Sequence, residues 1–192
     1  QNYYSEALYN LERFLKTYPN YKNLAYVHYL IAMCYYETIE DEKRDTKPLI
    51  DAKIKFSYLV ENYPNTDFAS DASFKLDLIQ DVLASKEMYL GRHYLKKQKW
   101  IAAINRFKNV IDFYDETIFI EEALHRLVEI YYKLGLVEES QKYANLLGYN
   151  YLSSEWYEKS YKVFNKDYEI RPFKTTKEDK KGIVKKFKKL FD

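Results

Sequence analysis

Residues 52–65 read AKIKFSYLVENYPN, and two other stretches repeat this pattern: residues 7–20 read ALYNLERFLKTYPN and residues 103–116 read AINRFKNVIDFYDE. In each copy an alanine is followed by apolar residues at +4, +7 and +8 and by a tyrosine at +11. This spacing places the apolar residues on one face of a helix. A phrase that recurs at intervals of tens of residues is typical of stacked helix–turn–helix units. The phrase therefore predicts the first helix of each unit.

A second helix is expected after each copy of the phrase. Two copies end in Tyr-Pro-Asn, which ends a helix because proline cannot extend it and asparagine favours turns. The stretch after the second copy of the phrase is long enough for one extended helix, or for a helix with a kink near Gly91. Gly135 closes the helix that follows the third copy. The predicted second helices cover residues 24–39, 67–90 and 119–134.

A weaker fourth copy follows, with Ser140 in the place of the alanine, Ala144 at +4, Leu147 at +7 and Tyr151 at +11. A last helix is predicted over residues 153–168. These patterns indicate an all-α fold, in which residues 1–168 form a solenoid of antiparallel helix pairs. Since the first phrase begins only a few residues into the chain, we expect the solenoid to be truncated at its N-terminus.

The charge is unevenly distributed along the 192 residues. The formal net charge is +2, but residues 174–192 carry eight lysines against three acidic residues, which leaves the body slightly acidic. A nucleic-acid-binding protein usually has a basic stripe on its folded body, so no nucleic-acid partner is expected. No stretch of 18 apolar residues occurs, so no membrane-spanning helix is expected either.

The C-terminal residues depart from the repeat. Residues 169–179 read as a linker, and residues 180–192, KKGIVKKFKKLFD, as a basic amphipathic tail helix. The residues that define its two stripes are Ile183, Phe187 and Leu190 on one side and Lys185, Lys186 and Lys189 on the other. Such a tail suits a membrane surface, packing on the body of the protein, or the groove of a partner.

The sequence has no constellation of residues for catalysis. Its three histidines are 65 and 32 residues apart, with no carboxylate or cysteine at the spacing of metal ligands. No phosphate-binding glycine loop, nucleophile elbow or zinc motif occurs. We therefore expect no enzymatic activity, no cofactor and no metal. Cys34, inside an apolar helical stretch, reads as a small buried side chain.

Two features have both a structural and a binding interpretation. Tyr26, Tyr29 and Tyr36 share a helix face, where they either pack between helix layers or line a groove that grips an extended peptide. The charged stretch at residues 40–47 is either a solvated connector or part of a binding face.

The repeat phrase resembles the tetratricopeptide (TPR) repeat. A more specific resemblance rests on YPNTDFASDA at residues 63–72, LASKEMYLGRHYLKKQKWIAAINR at residues 83–106 and Asp-Phe-Tyr at residues 112–114. These blocks are similar to the BamD (ComL) family of lipoproteins, which belong to the machinery that assembles β-barrels in the bacterial outer membrane.

The resemblance implies a non-catalytic scaffold at the periplasmic face of the outer membrane, held there by a lipidated N-terminal cysteine that this sequence lacks. It also implies partners: a BamA-like barrel subunit, other lipoproteins of the assembly complex, and unfolded outer-membrane clients. The candidate residues are Tyr26, Tyr29 and Tyr36 for the client, and Arg106, Glu121, Glu122 and Arg126 for the barrel subunit. The alternative is a soluble TPR adaptor or chaperone that binds short peptide segments.

Overall fold

Each copy of the repeated phrase forms the first helix of a helix pair in the computed structural model, which describes residues 2–38, 46–152 and 154–165. Within these residues there are eight helices and no strands, so the all-α prediction is confirmed. Each helix packs against the next along the chain. The bounds are α1 Asn2–Thr17, α2 Leu24–Glu37, α3 Lys47–Asn62, α4 Asp67–Lys96, α5 Trp100–Phe113, α6 Ile120–Lys133, α7 Val137–Asn150 and α8 Glu155–Phe164.

The tyrosine at +11 ends the first helix in all four pairs. Its backbone N–H donates to the carbonyl four residues earlier at distances of 2.8–3.0 Å, in Tyr18, Tyr63, Tyr114 and Tyr151. The fourth copy of the phrase, at Ser140, therefore folds like the others. Ser140 is fully buried in the alanine position, and its hydroxyl donates to the Val128 carbonyl at 2.8 Å, which satisfies the polar atom inside the core.

The second helices of neighbouring pairs run parallel. Near the start of both helices Tyr26 of α2 contacts Phe68 of α4, and further along both helices Tyr36 contacts Lys75, so α2 and α4 run in the same direction. Helices α6 and α8 do the same: His125 contacts Ser160, and Tyr132 contacts Phe164 further along. This stacking is the repeated geometry that the phrase predicts.

Helix α4 continues without a break through Gly91 to Lys96, so the alternative of one extended helix is confirmed and the helix ends beyond residue 90. A methyl group built on Gly91 would lie 2.6 Å from the Phe107 ring, so the glycine allows α5 to approach α4 closely. Helix α4 contributes Ala72, Ile79 and Leu83 to a front core with α2 and α3, and Met88 to a rear core with α5 and α6. It thus belongs to both halves of the stack.

Other boundaries shift by a few residues: α2 ends at Glu37 and α8 at Phe164. Gly135 lies just beyond the end of α6 with φ of +76°, as expected for a helix-ending glycine. The predicted linker at residues 169–179, the tail helix at residues 180–192 and most of the charged stretch at 40–47 lie outside the described residues. In the part of the chain that the structure describes, no helix is both long and apolar enough to cross a membrane.

Candidate functional site

The three candidate client tyrosines face helix α4 along a contact that we call the front seam: Tyr26, Tyr29 and Tyr36 of α2 against Phe68, Asp71 and Lys75 of α4. The rings of Tyr26 and Tyr29 lie 5.3 and 5.4 Å from that of Phe68. The Lys75 ammonium lies 5.2 Å above the Tyr36 ring. The tyrosines are therefore brought together, and much of their surface is used in packing helices.

Tyr29 is the most constrained of the three. Its hydroxyl donates a 2.6 Å hydrogen bond to the Asp71 carboxylate, and its ring also lies near Phe56 of α3. Burial, together with the hydrogen bond and the negative charge of Asp71, raises the pKa of Tyr29 to about 12. Tyr26, by contrast, remains 45% exposed. Tyr26 is thus the member of the seam that offers most surface to another molecule.

The first helices carry exposed apolar residues that the sequence reasoning missed. Ile50 and Ile54 lie two residues before and after the repeat alanine of α3, and Ile54 is 59% exposed. Tyr9 and Ile101 occupy the matching positions of α1 and α5 and are also exposed. The signal was present in the sequence: an apolar residue two positions from the alanine lies off the buried face of the phrase.

Two of the candidate docking residues, Glu122 and Arg126, belong to a charged contact between α4 and α6, which we call the rear network: Arg92, Glu122, Arg126 and Glu129. The Glu122 carboxylate accepts from Arg92 Nε at 2.9 Å and from Arg126 Nε at 3.2 Å, and Arg126 also donates to Glu129 at 2.7 Å. Burial alone would raise the pKa of Glu122, but the two guanidinium groups hold it below its usual value. The carboxylate is therefore ionised and fixed between two helices.

The remaining candidates also have partners within the chain. Arg106 of α5 donates to Glu87 of α4 at 3.0 Å, and Asn109 donates to the same carboxylate at 2.9 Å. Glu121 accepts a hydrogen bond from the Ser154 hydroxyl, which caps the start of α8. The four candidates therefore do not form one cluster: Glu122 and Arg126 are in contact, whereas Arg106 and Glu121 lie in separate contacts.

A cleft of about 420 Å³ lies beside the rear network, between α6 and α8. Its wall includes the Trp156 ring, over which the Lys159 ammonium lies at 4.4 Å and the Arg126 guanidinium at 5.6 Å. Under the ring, buried His125 shares a 2.9 Å hydrogen bond between its Nδ1 and the Ser160 hydroxyl. Burial lowers the pKa of His125 to about 4, so its ring is neutral at pH 7. This cleft could not be predicted from the sequence, because its walls come from residues about thirty positions apart.

The chemistry available at these sites is that of binding. Among the described residues, no group of three or more histidine, cysteine, aspartate or glutamate side chains could hold a metal ion. The front seam and the exposed first-helix residues offer aromatic and aliphatic surface. The rear network and the cleft offer guanidinium, ammonium and carboxylate groups that are already oriented by their internal partners.

The sequence profile of the YfiO family, described as outer membrane lipoprotein, matches residues 1–147. The outer membrane protein assembly factor BamD of Rickettsia prowazekii (strain Madrid E) is 46% identical over 160 residues, which are 83% of this chain and 64% of the relative. BamD of Caulobacter vibrioides is 43% identical over 171 residues, 89% of this chain and 56% of the relative. BamD of Neisseria meningitidis serogroup A is 33% identical over 142 residues. This chain spans roughly half to two thirds of the length of these curated relatives.

Proposed function

This chain belongs to the YfiO family of outer membrane lipoproteins, as its sequence blocks suggested, and on that premise we propose that it is a non-catalytic scaffold subunit in the assembly of outer membrane proteins. The observation that carries the proposal is the match to relatives named outer membrane protein assembly factor BamD, at 46% and 43% identity over most of this chain. The stacked helix pairs support it, since such stacks act through extended binding surfaces. The protein would work at the periplasmic face of the outer membrane, held by a lipid anchor.

The front half of the stack is the proposed client surface. Unfolded barrel proteins expose extended segments with alternating apolar side chains, which need flat apolar contacts. Tyr26 offers an exposed ring that is held in place by Phe68, so little conformational entropy is lost when a client binds it. Tyr29 packs on the same Phe68 ring, Tyr36 lies further along α2 beside Lys75, and Ile54 is an exposed aliphatic side chain on α3.

The client surface is tested by a peptide that corresponds to the terminal strand of an outer-membrane barrel. Tyr26→Ala should weaken binding of this peptide about tenfold, the loss typical of an aromatic contact at an interface. Tyr149→Ala is the matched control, because Tyr149 is an exposed tyrosine in the rear half. Equal affinity of the Tyr26→Ala variant and the wild type, measured by fluorescence anisotropy, would remove the front half as the client surface.

The rear half is the proposed docking surface for a BamA-like barrel subunit. Arg106 keeps more than a third of its side chain exposed while Glu87 orients its guanidinium, so one side is fixed and the other can reach a carboxylate of the partner. Glu121 joins α6 to the start of α8 through Ser154, Glu122 joins α6 to α4 through Arg92, and Arg126 lines the adjacent cleft. Other lipoproteins of the complex would contact the remaining surface of the stack.

Docking is tested by isolating the full-length protein from its native membrane and identifying the proteins that co-purify. A barrel-forming outer membrane subunit should be recovered with the wild type and reduced with Arg106→Gln. Glu87→Gln is the matched control, since it removes the same internal ion pair but leaves the guanidinium. Recovery of soluble partners alone would contradict the proposal and favour a soluble TPR adaptor. Equal losses in both variants would mean that Arg106 acts only within the chain.

A further inference from the structure

One face of α4 points away from the helix pairs and has no partner among the described residues. Phe74, Asp77, Leu78 and Asp81 are spaced at i, i+3, i+4 and i+7, which places them on one side of the helix. Phe74 is 61% exposed and Leu78 is 38% exposed. Large apolar side chains on an exposed helix face are typical of a surface that another segment covers.

The turn between α5 and α6 extends this face. Ile118, which is 80% exposed, lines a cleft of about 270 Å³ together with Asp77, Asp81 and Glu116. We call the whole surface the α4 face: Phe74, Asp77, Leu78, Asp81, Glu116 and Ile118. It combines three apolar side chains with three carboxylates.

The carboxylates of the α4 face differ from the other acids on the same helix. Asp71 pairs with Lys75, and Glu87 pairs with Arg106. Asp77, Asp81 and Glu116 form no ion pair with any residue in the part of the chain that the structure describes. Three unpaired carboxylates around a cleft produce a negative potential that attracts a cationic segment.

We propose that the α4 face binds the chain's own basic C-terminal segment, residues 180–192. The segment has six lysines and one acidic residue, and its apolar residues recur at helical spacing: Ile183, Phe187 and Leu190. An amphipathic segment of this kind fits a surface on which apolar residues lie beside carboxylates. The apolar stripe contacts Phe74, Leu78 and Ile118, and the flanking lysines pair with the carboxylates.

The chain is long enough to make this contact. Helix α8 runs parallel to α6 and ends at Phe164, beside Tyr132. The start of α6, next to Ile118, is about 20 Å back along its 14 residues. The sixteen residues from Asn165 to Lys180 span up to about 50 Å when extended, which exceeds that distance.

The contact is tested on the full chain by hydrogen exchange followed by mass spectrometry. Amides of residues 180–192 should exchange about tenfold faster in the double variant Asp77→Lys, Asp81→Lys than in the wild type, because the bound state is lost. Adding Lys185→Glu and Lys186→Glu to this variant should restore slow exchange. The control is Glu61→Lys with Glu138→Lys, which changes the net charge equally at exposed sites away from the α4 face.

A second measurement does not depend on charge reversal. In a Cys34→Ser background, cysteines at Ile118 and Phe187 should form an intramolecular cross-link at a rate independent of protein concentration, and cysteines at Ile54 and Phe187 should not. The proposal is overturned if exchange at 180–192 is the same in the wild type and the Asp77→Lys, Asp81→Lys variant. It is also overturned if this segment becomes protected only after phosphatidylglycerol vesicles are added, which would make it a membrane-surface helix, or if cross-linking rises with concentration, which would make the partner a second copy.

Discussion

The front seam and the rear network join second helices of the stack with different chemistry. In the front seam, Tyr26 and Tyr29 of α2 pack on Phe68 of α4, and one hydroxyl–carboxylate hydrogen bond is added. In the rear network, a buried Glu122 is held between two arginines. The same repeat phrase precedes both contacts, so the repeat sets the helix positions while the residues between the phrases set how the helices are joined. The two halves should therefore respond differently to truncation, acid and salt.

The largest effect is expected from truncating the core phenylalanine of either half. Phe56 and Phe107 occupy the +4 position of the phrase and are fully buried in the front and rear cores. Replacing either by alanine should lower the free energy of unfolding by about 3–5 kcal/mol. Native-state hydrogen exchange should speed up mainly in α2 and α3 for Phe56→Ala, and mainly in α5 and α6 for Phe107→Ala. Identical exchange patterns in the two variants would mean that the halves open together.

Acid should weaken the rear half first. The native pKa of His125 is about 4, below the value near 6.5 in the unfolded chain, so only the unfolded state takes up a proton as the pH falls below 6.5. The neutral ring therefore contributes stability that is present above pH 6.5 and is lost towards pH 4, by about 3 kcal/mol. The groups that face the ring are Glu122, Arg126 and Glu129 of α6 and Lys159 of α8.

This pH dependence is measured by urea unfolding between pH 7 and pH 5, where most carboxylates are still ionised. His125→Gln, which can keep a hydrogen bond to Ser160, should remove most of the decrease. An unchanged pH dependence in this variant would show that other groups are responsible.

A smaller change in stability is expected from Gly91→Ala, and its sign should depend on whether Phe107 is present. Helix propensity alone favours alanine over glycine by about 1 kcal/mol. The methyl group would meet the Phe107 ring at 2.6 Å, however, so Gly91→Ala should destabilise the wild type by about 2 kcal/mol. In the Phe107→Ala background the same substitution should be neutral or stabilising. A thermal-unfolding cycle of the four proteins measures the coupling, and additive effects would contradict the close approach of α4 and α5.

The smallest effects are expected from removing one polar contact in each half, and their dependence on salt concentration distinguishes the rear network from the front seam. Glu122→Gln should cost about 1–2 kcal/mol, since it removes the charge that pairs with Arg92 and Arg126, and the loss should shrink in about 1 M salt. Tyr29→Phe removes only the hydroxyl bond to Asp71 and should cost at most about 1 kcal/mol. Because the ring packing of the front seam remains, the cost of Tyr29→Phe should change less with salt. Chemical unfolding at low and high salt compares the two variants.

The helices could be predicted from the sequence because their signal is local. The spacing from Ala52 to Tyr63 defines a buried face and a stop within twelve residues, and the weaker copy at Ser140 folds in the same way. The sequence could not decide whether the chain after residue 67 forms one extended helix or kinks near Gly91, because a glycine usually weakens a helix, and only the distant Phe107 explains why Gly91 remains inside one.

The contacts between helices could not be predicted, since they join residues far apart in the chain. The separation is 30 positions between Arg92 and Glu122 and 42 positions between Tyr29 and Asp71. No sequence pattern around these residues indicates which of them come into contact. The candidate tyrosines were placed correctly on one face, but the sequence could not decide between packing and binding. The structure gives Tyr29 a role in packing and leaves Tyr26 partly open.

The uninterrupted α4 has a mechanical consequence. Its 30 residues extend about 45 Å, with its first half embedded in one core and its second half in the next. The stack therefore cannot hinge at the boundary between its second and third pairs unless one of the two cores opens. A displacement of the start of α4, beside Tyr26, is therefore expected to reach its far end, beside Arg92, so that the front seam and the rear network move together.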